Sequence, residues 1–397
     1  MTDFDYDDIR PYSDAELPGI LQKLLADVDF LQALKALKAP WLPDSLAFVW
    51  RPMLRFKLAR YFASIRSIAD LQNLVERALE QSLEASTDGF RVQGGENLQA
   101  DREYVFISNH RDIVLDPALC NLALHRLGRK TCRIAIGDNL LTKPFAEHLM
   151  RVNKSFIVKR SVSSGRAWFL EMKKLSTYIR KSVHADGEPV WIAQREGRAK
   201  DGIDQSDPAL IKMLALSKQK PQSFAEAIRE LNIVPVAISY EWDPCDVAKA
   251  CELASKAENG VYEKAEHEDI ASIARGIQGE KGLVSFHFGE MLDADFENPE
   301  QVAEAIDAQI HRMYAIHPSN LAACQELGES IPEDIAAEVD PTKIAAAQAT
   351  LIGRTEALSS AEKSFLLHAY ANPVRENQKR NIVKDDGLQP SVSAKAV

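Results

Sequence analysis

From Phe90 onward, short apolar runs alternate with longer stretches whose apolar positions recur at helical spacing. The runs at 104–108 (YVFIS), 132–136, 155–159, 189–193, 233–240 and 283–288 have the length of buried strands. Helical spacing falls at 117–127, 144–152, 165–184, 208–219 and 223–231. Strand and helix in alternation predict an α/β fold: a mainly parallel central sheet flanked by helices. Both ends of the chain lack strands. Toward the N-terminus, Leu21, Leu24, Leu25, Val28, Leu31 and Leu34 form one helical stripe, and Leu71, Leu74, Val75, Leu79 and Leu83 form another. Pro40, Pro43 and Pro52 fall between the two stripes. Beyond 288, helices are predicted at 299–314, 332–349 and 359–371, Ala-rich pieces suited to a cap or a dimer element. The expected organisation is a helical N-terminal region at 1–85, an α/β domain at 86–320, a helical C-terminal region at 321–378 and a disordered polar tail at 379–397.

Composition adds limits. With 46% hydrophobic residues, 397 residues can bury a sizeable core. The five cysteines show no C-x-x-C spacing, which points to reduced thiols and away from a disulfide framework or a zinc site. The opening MTDFDYDDIRPYSD is acidic and lacks the basic-then-apolar pattern of a signal peptide. No run approaches the roughly 18–20 apolar residues of a membrane span, so a cytoplasmic protein is expected, one that meets a membrane only at its surface.

A formal net charge of −10 argues against nucleic-acid binding. Residues 123–181 nevertheless carry 14 Lys/Arg against 3 Asp/Glu, and 241–310 carry 5 against 17. A basic lobe of this kind reads equally as a solvated face or as a place for an anionic substrate. The segment 41–66 interleaves Trp41, Phe48, Trp50, Phe56, Tyr61 and Phe62 with Arg51, Arg55, Lys57, Arg60 and Arg66, and has no acidic residue from Ser45 to Ala69. That pattern suits an interfacial helix with cations at anionic headgroups, or a helix packed on the domain with a basic edge.

Candidate chemistry gathers where strands end. The 104–108 run leads into Asn109, His110 and Arg111, with Asp112 and Asp116 close behind. A histidine there can act as a base near neutral pH, and a carboxylate on its far ring nitrogen would fix the tautomer. In one unbroken helix His110 and Asp116 would not share a face. Pro117 suits a first helical position with Asp116 as N-cap, which would leave His110 in the preceding loop. Asp112 is the competing partner. No G-x-S-x-G nucleophile elbow is present.

The Asn109–His110–Arg111 block with its downstream Asp resembles the first motif of the glycerolipid acyltransferases, the glycerol-3-phosphate and lysophosphatidate acyltransferase superfamily. Here the spacing is His-x5-Asp rather than His-x4-Asp. Three further stretches follow in family order: FIVKR at 156–160, WIAQREGR at 191–198 and VPV at 234–236. In the second of these, Arg195 stands where the family has Pro, and Arg198 comes one residue early. The resemblance implies that His110, assisted by Asp116, deprotonates an acceptor hydroxyl. It implies that Arg160, with Lys159 beside it, and Arg198, with Gly197 and Glu196, bind the acceptor's phosphate, Glu196 orienting the cations. The VPV strand would line an acyl pocket. No metal or bound cofactor is implied; acyl-CoA or acyl-carrier protein serves as thioester cosubstrate and lysophosphatidate or glycerol-3-phosphate as acceptor. The implied setting is peripheral, on the inner face of the cell membrane. A lyso-aminolipid acceptor (ornithine or glycine lipid) would use the same cations, and a non-catalytic lipid-binding protein with a decayed domain is the rival from another class. Oligomeric state is left open.

Overall fold

The computed structural model describes residues 4–39, 41–161, 164–265, 268–337 and 339–385. Seven strands form one sheet: β1 (Gly89–Gln93), β2 (Val105–Ser108), β3 (Arg133–Gly137), β4 (Ser155–Val158), β5 (Val190–Ala193), β6 (Ile233–Tyr240) and β7 (Leu283–Phe288). They lie in the order β1-β7-β6-β2-β5-β3-β4. All neighbours are parallel except β6 and β7, so β7 and β1 run against the other five. The fold is α/β with a mainly parallel sheet, as the alternation predicts.

Four helices precede the sheet: α1 (Leu17–Ala26), α2 (Val28–Lys38), α3 (Ala47–Phe62) and α4 (Ile68–Ser86). Helix α5 (Leu115–Arg126) follows β2, α6 (Pro144–Val152) follows β3 and α7 (Gly165–His184) follows β4. The β5–β6 crossover holds α8 (Pro208–Leu214) and α9 (Phe224–Arg229), and the insertion between β6 and β7 holds α10 (Asp246–Asn259) and α11 (Glu268–Gln278). After β7 come α12 (Pro299–Met313), α13 (Pro318–Glu326), α14 (Glu333–Ala337), α15 (Pro341–Thr355) and α16 (Ser360–Asp385).

Strand alternation divides the core into two layers. Val105, Ile107, Val190 and Ile192 face one cluster with residues of α7, α8, α9 and α12. Phe106, Trp191, Val234 and Val236 face another with α5. The chain leaving β2 therefore crosses on one face and the chain leaving β5 on the other. Two adjacent strands whose crossovers part in this way open a crevice at their carboxyl ends, where α/β sheets hold ligands.

The structure revises several expectations. Strand β1 and helices α10, α11 and α13 were not foreseen: β1 has no fully buried residue, and the three helices lie in stretches where charged or small residues obscure the stripe. The helix predicted at 332–349 is two, because Asp340 accepts from Thr342 N and Pro341 starts a new helix there. The last helix continues to Asp385, past the predicted boundary at 378; the rest of the predicted tail, 386–397, lies outside the described residues. The basic lobe is largely neutralised from other parts of the chain. Asp8 takes Lys159 and Lys174, Asp186 takes Arg133 and Lys181, and Glu188 takes Lys154. The acidic N-terminal segment also covers the sheet edge, since Ile157 N donates to Ile9 O at 2.9 Å. No helix among the described residues is long and apolar enough to cross a membrane.

Candidate active site

Strand β2 stops at Ser108, and Asn109 continues its pairing with side-chain atoms. The Asn109 amide donates to Ile238 O at 2.9 Å and accepts from Ile238 N at 2.8 Å, so it stands in for one more residue of the β2–β6 ladder. With the backbone thus freed, the chain turns and presents His110. His110 Nδ1 lies 2.7 Å from Asp116 Oδ2. Its side chain keeps 15% exposure while that of Asp116 keeps none.

Asp116 is held by three further donors: Arg111 N at 2.6 Å, Asp112 N at 2.9 Å and Tyr240 Oη–H at 2.8 Å. A buried carboxylate with four donors is fixed in place. It requires a proton on His110 Nδ1, which leaves the lone pair on Nε2 for chemistry. Burial, and after it the Asp116 charge, push the Tyr240 phenol well above its ordinary range, so Tyr240 stays an O–H donor. Trp191 sets its ring edge to face with His110, the centroids 5.8 Å apart.

Asp112 does not reach the imidazole as its partner. Its Oδ1 accepts from Val114 N at 2.9 Å and Leu115 N at 2.8 Å. The expectation that Asp116 is the N-cap is thereby corrected. The helix begins at Leu115, Asp116 and Pro117 lie in its first turn, and Asp112 satisfies the free N–H groups before it. The extra residue of the His-x5-Asp spacing is taken up in the loop 109–114. Burial, then the charge of Asp116, push the Asp112 carboxyl upward.

Beneath the loop, Arg111 is 8% exposed and pairs with Asp204 Oδ2 at 2.6 Å, with Tyr314 stacked at 5.4 Å. Burial opposes its charge, but Asp204 and Tyr314 outweigh that and keep it a cation. Asp204 also accepts from Asn109 at 3.0 Å. One carboxylate thus ties residues on both sides of His110 to the loop after β5.

That loop carries Glu196, Gly197 and Arg198. Gly197 has φ +78°, a left-handed conformation that favours glycine. Arg160, at the end of β4, reaches Glu196 Oε1 with Nη1 at 2.8 Å. Gly137 makes room for it: a Cβ there would lie 2.9 Å from Arg160 Nε. At the other end of the loop, Ala199 N donates to His110 O at 2.8 Å. The loop therefore runs from Arg160 to His110, with Arg198 between. Arg198 is half-buried, and its Nη1 is shielded from solvent with no hydrogen-bond partner among the described residues. A guanidinium nitrogen left in that state suits an anion. Lys159 is not brought to this place; its amine is paired with Asp8 and, at 3.5 Å, with Glu171. Among the described residues no group of three or more His, Cys, Asp or Glu side chains is arranged to hold a metal.

Sequence reasoning missed Tyr240, Arg111 and Asp204 as supports. Tyr240 had a signal: a lone polar tip closing the apolar run 233–240 beside β2. Asp204 had none, because its partners are more than 90 residues away.

Comparison with known proteins follows the same lines. The model of a family described as Acyltransferase matches residues 89–239. No curated protein matches the sequence. Among solved structures, the chain is similar to the crystal structure of the 1-acyl-sn-glycerophosphate (LPA) acyltransferase PlsC from Thermotoga maritima, at 14% identity and a TM-score of 0.37, covering 81% of this chain and 100% of that one. The stretch matched by the Acyltransferase family model, residues 89–239, contains both the His110–Asp116 pair and the Arg198 loop.

Proposed function

We propose that the protein moves a fatty acyl chain from a thioester, acyl-CoA or acyl-carrier protein, to the hydroxyl of a glycerol-phosphate acceptor such as lysophosphatidate. The observation that carries this reading is the His110–Asp116 pair at 2.7 Å, with its carboxylate fully buried and its imidazole still partly exposed. His110 Nε2 takes the proton of the acceptor hydroxyl as the oxygen attacks the thioester carbonyl carbon. The tetrahedral intermediate collapses, the carbon–sulfur bond breaks, and the departing thiolate takes the proton from the imidazolium. The products are an ester and a free thiol, and Asp116 stabilises the transient charge on His110.

Arg198 and Arg160 are assigned to the acceptor's phosphate, with Glu196 holding Arg160 in place. Arg198 is the stronger candidate, because Arg160 already has a carboxylate and Arg198 Nη1 has no partner among the described residues. The membrane would be met through α3, which would place the protein on the cytoplasmic face of the cell membrane. Phe48 is 77% exposed and Phe56 63%, with Trp41 at 79% just before the helix.

The test is product formation by the purified protein from a labelled acyl thioester, with lysophosphatidate and a lyso-aminolipid offered in competition. Ester on the phosphate acceptor with matching thiol release is expected; preference for the aminolipid moves the assignment of the acceptor. His110→Ala is expected to abolish turnover while the circular dichroism spectrum is kept. Retention of more than about a tenth of the rate overturns the role of His110.

A further inference from the structure

We propose that helix α10, which lies outside the stretch 89–239, fixes the His110 loop and the Arg198 loop relative to one another through Lys249 and Glu252. This inference rests on the acyl-transfer reading and adds two positioning residues to it.

Lys249 and Glu252 are three residues apart on α10 and so share a face of the helix. Each is 4% exposed. Lys249 Nζ donates to the carbonyl oxygen of Arg111, the residue after His110, at 2.7 Å, and its charge is met by Asp243. The Glu252 carboxylate receives Lys200, two residues beyond Arg198, and Lys256 at 2.7 Å. Buried charges of either sign are costly unless paired. Here each also bonds to a different active-site loop, Lys249 to the Arg111 carbonyl and Glu252 to Lys200, so a single helix holds both.

The helix is itself braced. Asp246, in its first turn, accepts from Tyr370 Oη–H at 2.8 Å and pairs with Arg354 at 2.8 Å, which fastens α10 to α15 and α16. The two loops also meet directly, through Ala199 N to His110 O, Arg111 to Gly202 O at 3.2 Å, and the Asp204 carboxylate shared by Arg111 and Asn109. The two contacts from α10 add an anchor on each loop from outside this junction. Small displacements between a base and the group that holds its substrate cost rate steeply.

Lys249→Met keeps most of the side-chain length and Glu252→Gln all of it, and both remove the charge. In the acyl-transfer assay, Glu252→Gln is expected to raise the acceptor KM by about fivefold or more, with the thioester KM and kcat near those of the wild type. Lys249→Met is expected to lower kcat by about tenfold or more at an unchanged acceptor KM. Glu252→Asp, which retains the charge, should recover most of the acceptor KM. Hydrogen exchange gives a readout that needs no substrate. Amides of 109–116 should exchange faster in Lys249→Met, and those of 194–204 in Glu252→Gln, each leaving the other loop as in the wild type. Equal losses of kcat in both variants with no KM moved, or exchange that rises throughout the chain and not in the named loop, overturn the proposal. If the wild type moves no acyl group to a phosphate-bearing acceptor, the acyl-transfer reading falls, and the exchange pattern alone decides the role of α10.

Discussion

Asp116 shows how much one carboxylate can organise. Its four donors come from the imidazole it serves, two successive backbone amides and a tyrosine on the neighbouring strand β6. The backbone donors set its place, so the Tyr240 hydroxyl is the contact that side-chain substitution can remove cleanly. Tyr240→Phe leaves Oδ1 of the fully buried Asp116 carboxylate short of a donor. A stability loss of about 1–3 kcal/mol is expected, with kcat down about fivefold or more and the acceptor KM held. Steady-state kinetics beside thermal denaturation checks this; a full kcat at reduced stability would make Tyr240 merely structural. At this scale the sequence made His110 legible as the partner of a nearby carboxylate, since residue types and a strand-end position favour that contact. It was not legible for the choice between Asp112 and Asp116, which depends on where the loop 109–114 spends its extra residue. Lys159 was misread for a similar reason: neighbours at a strand end part company, and Asp8, far away in the chain, takes that amine.

Elements were legible where apolar periodicity was strong. Helix α7 and strands β6 and β7 match their predicted bounds because their buried residues are numerous, whereas α6, which buries only Arg151 and Val152, matches because Pro144 marks its start. The periodicity fails at α10, which buries Asp246, Lys249 and Glu252 and so looks solvent-facing in sequence. Helix α3 poses the opposite problem, having apolar residues that the fold does not bury. Trp50 goes into the core with α1 and α2, whereas Phe48, Val49, Met53 and Phe56 stay exposed. Arg51, Arg55, Lys57 and Arg60 lie among them without a carboxylate partner among the described residues. If α3 is a membrane-contact element, the protein floats with anionic liposomes and the bound fraction falls as salt rises. Arg51→Glu, Arg55→Glu and Arg60→Glu together should abolish flotation, and Phe48→Ser with Phe56→Ser should weaken it at every salt concentration. Wild-type protein that stays with the soluble fraction at low salt removes membrane contact from the proposal.

For the whole molecule, length and sequence alone suggest separable parts: a helical start, an α/β middle and a helical end. A chain of 397 residues commonly unfolds in steps for that reason. The packing indicates otherwise. The N-terminal core of α1, α2 and α3 includes Val152 and Phe145 from α6, so it is completed by the α/β layer. The C-terminal core of α13, α15 and α16 includes Trp242 and Ala250 from the insertion after β6. Asn372 on α16 also donates to Asp201 O at 2.7 Å, and Gly202 sits so close to Ala369 that a Cβ would meet its carbonyl oxygen at 2.0 Å. Removing the C-terminal helices would thus uncover both α10 and the Arg198 loop. Scanning calorimetry is therefore expected to give one transition whose calorimetric and van't Hoff enthalpies agree. Arg354→Ala, which leaves Asp246 short of its cation, should lower that single Tm rather than split the peak. Two resolved transitions, the lower one leaving the acyl-transfer site active, would show the C-terminal helices to be an independent module and would deprive α10 of its brace.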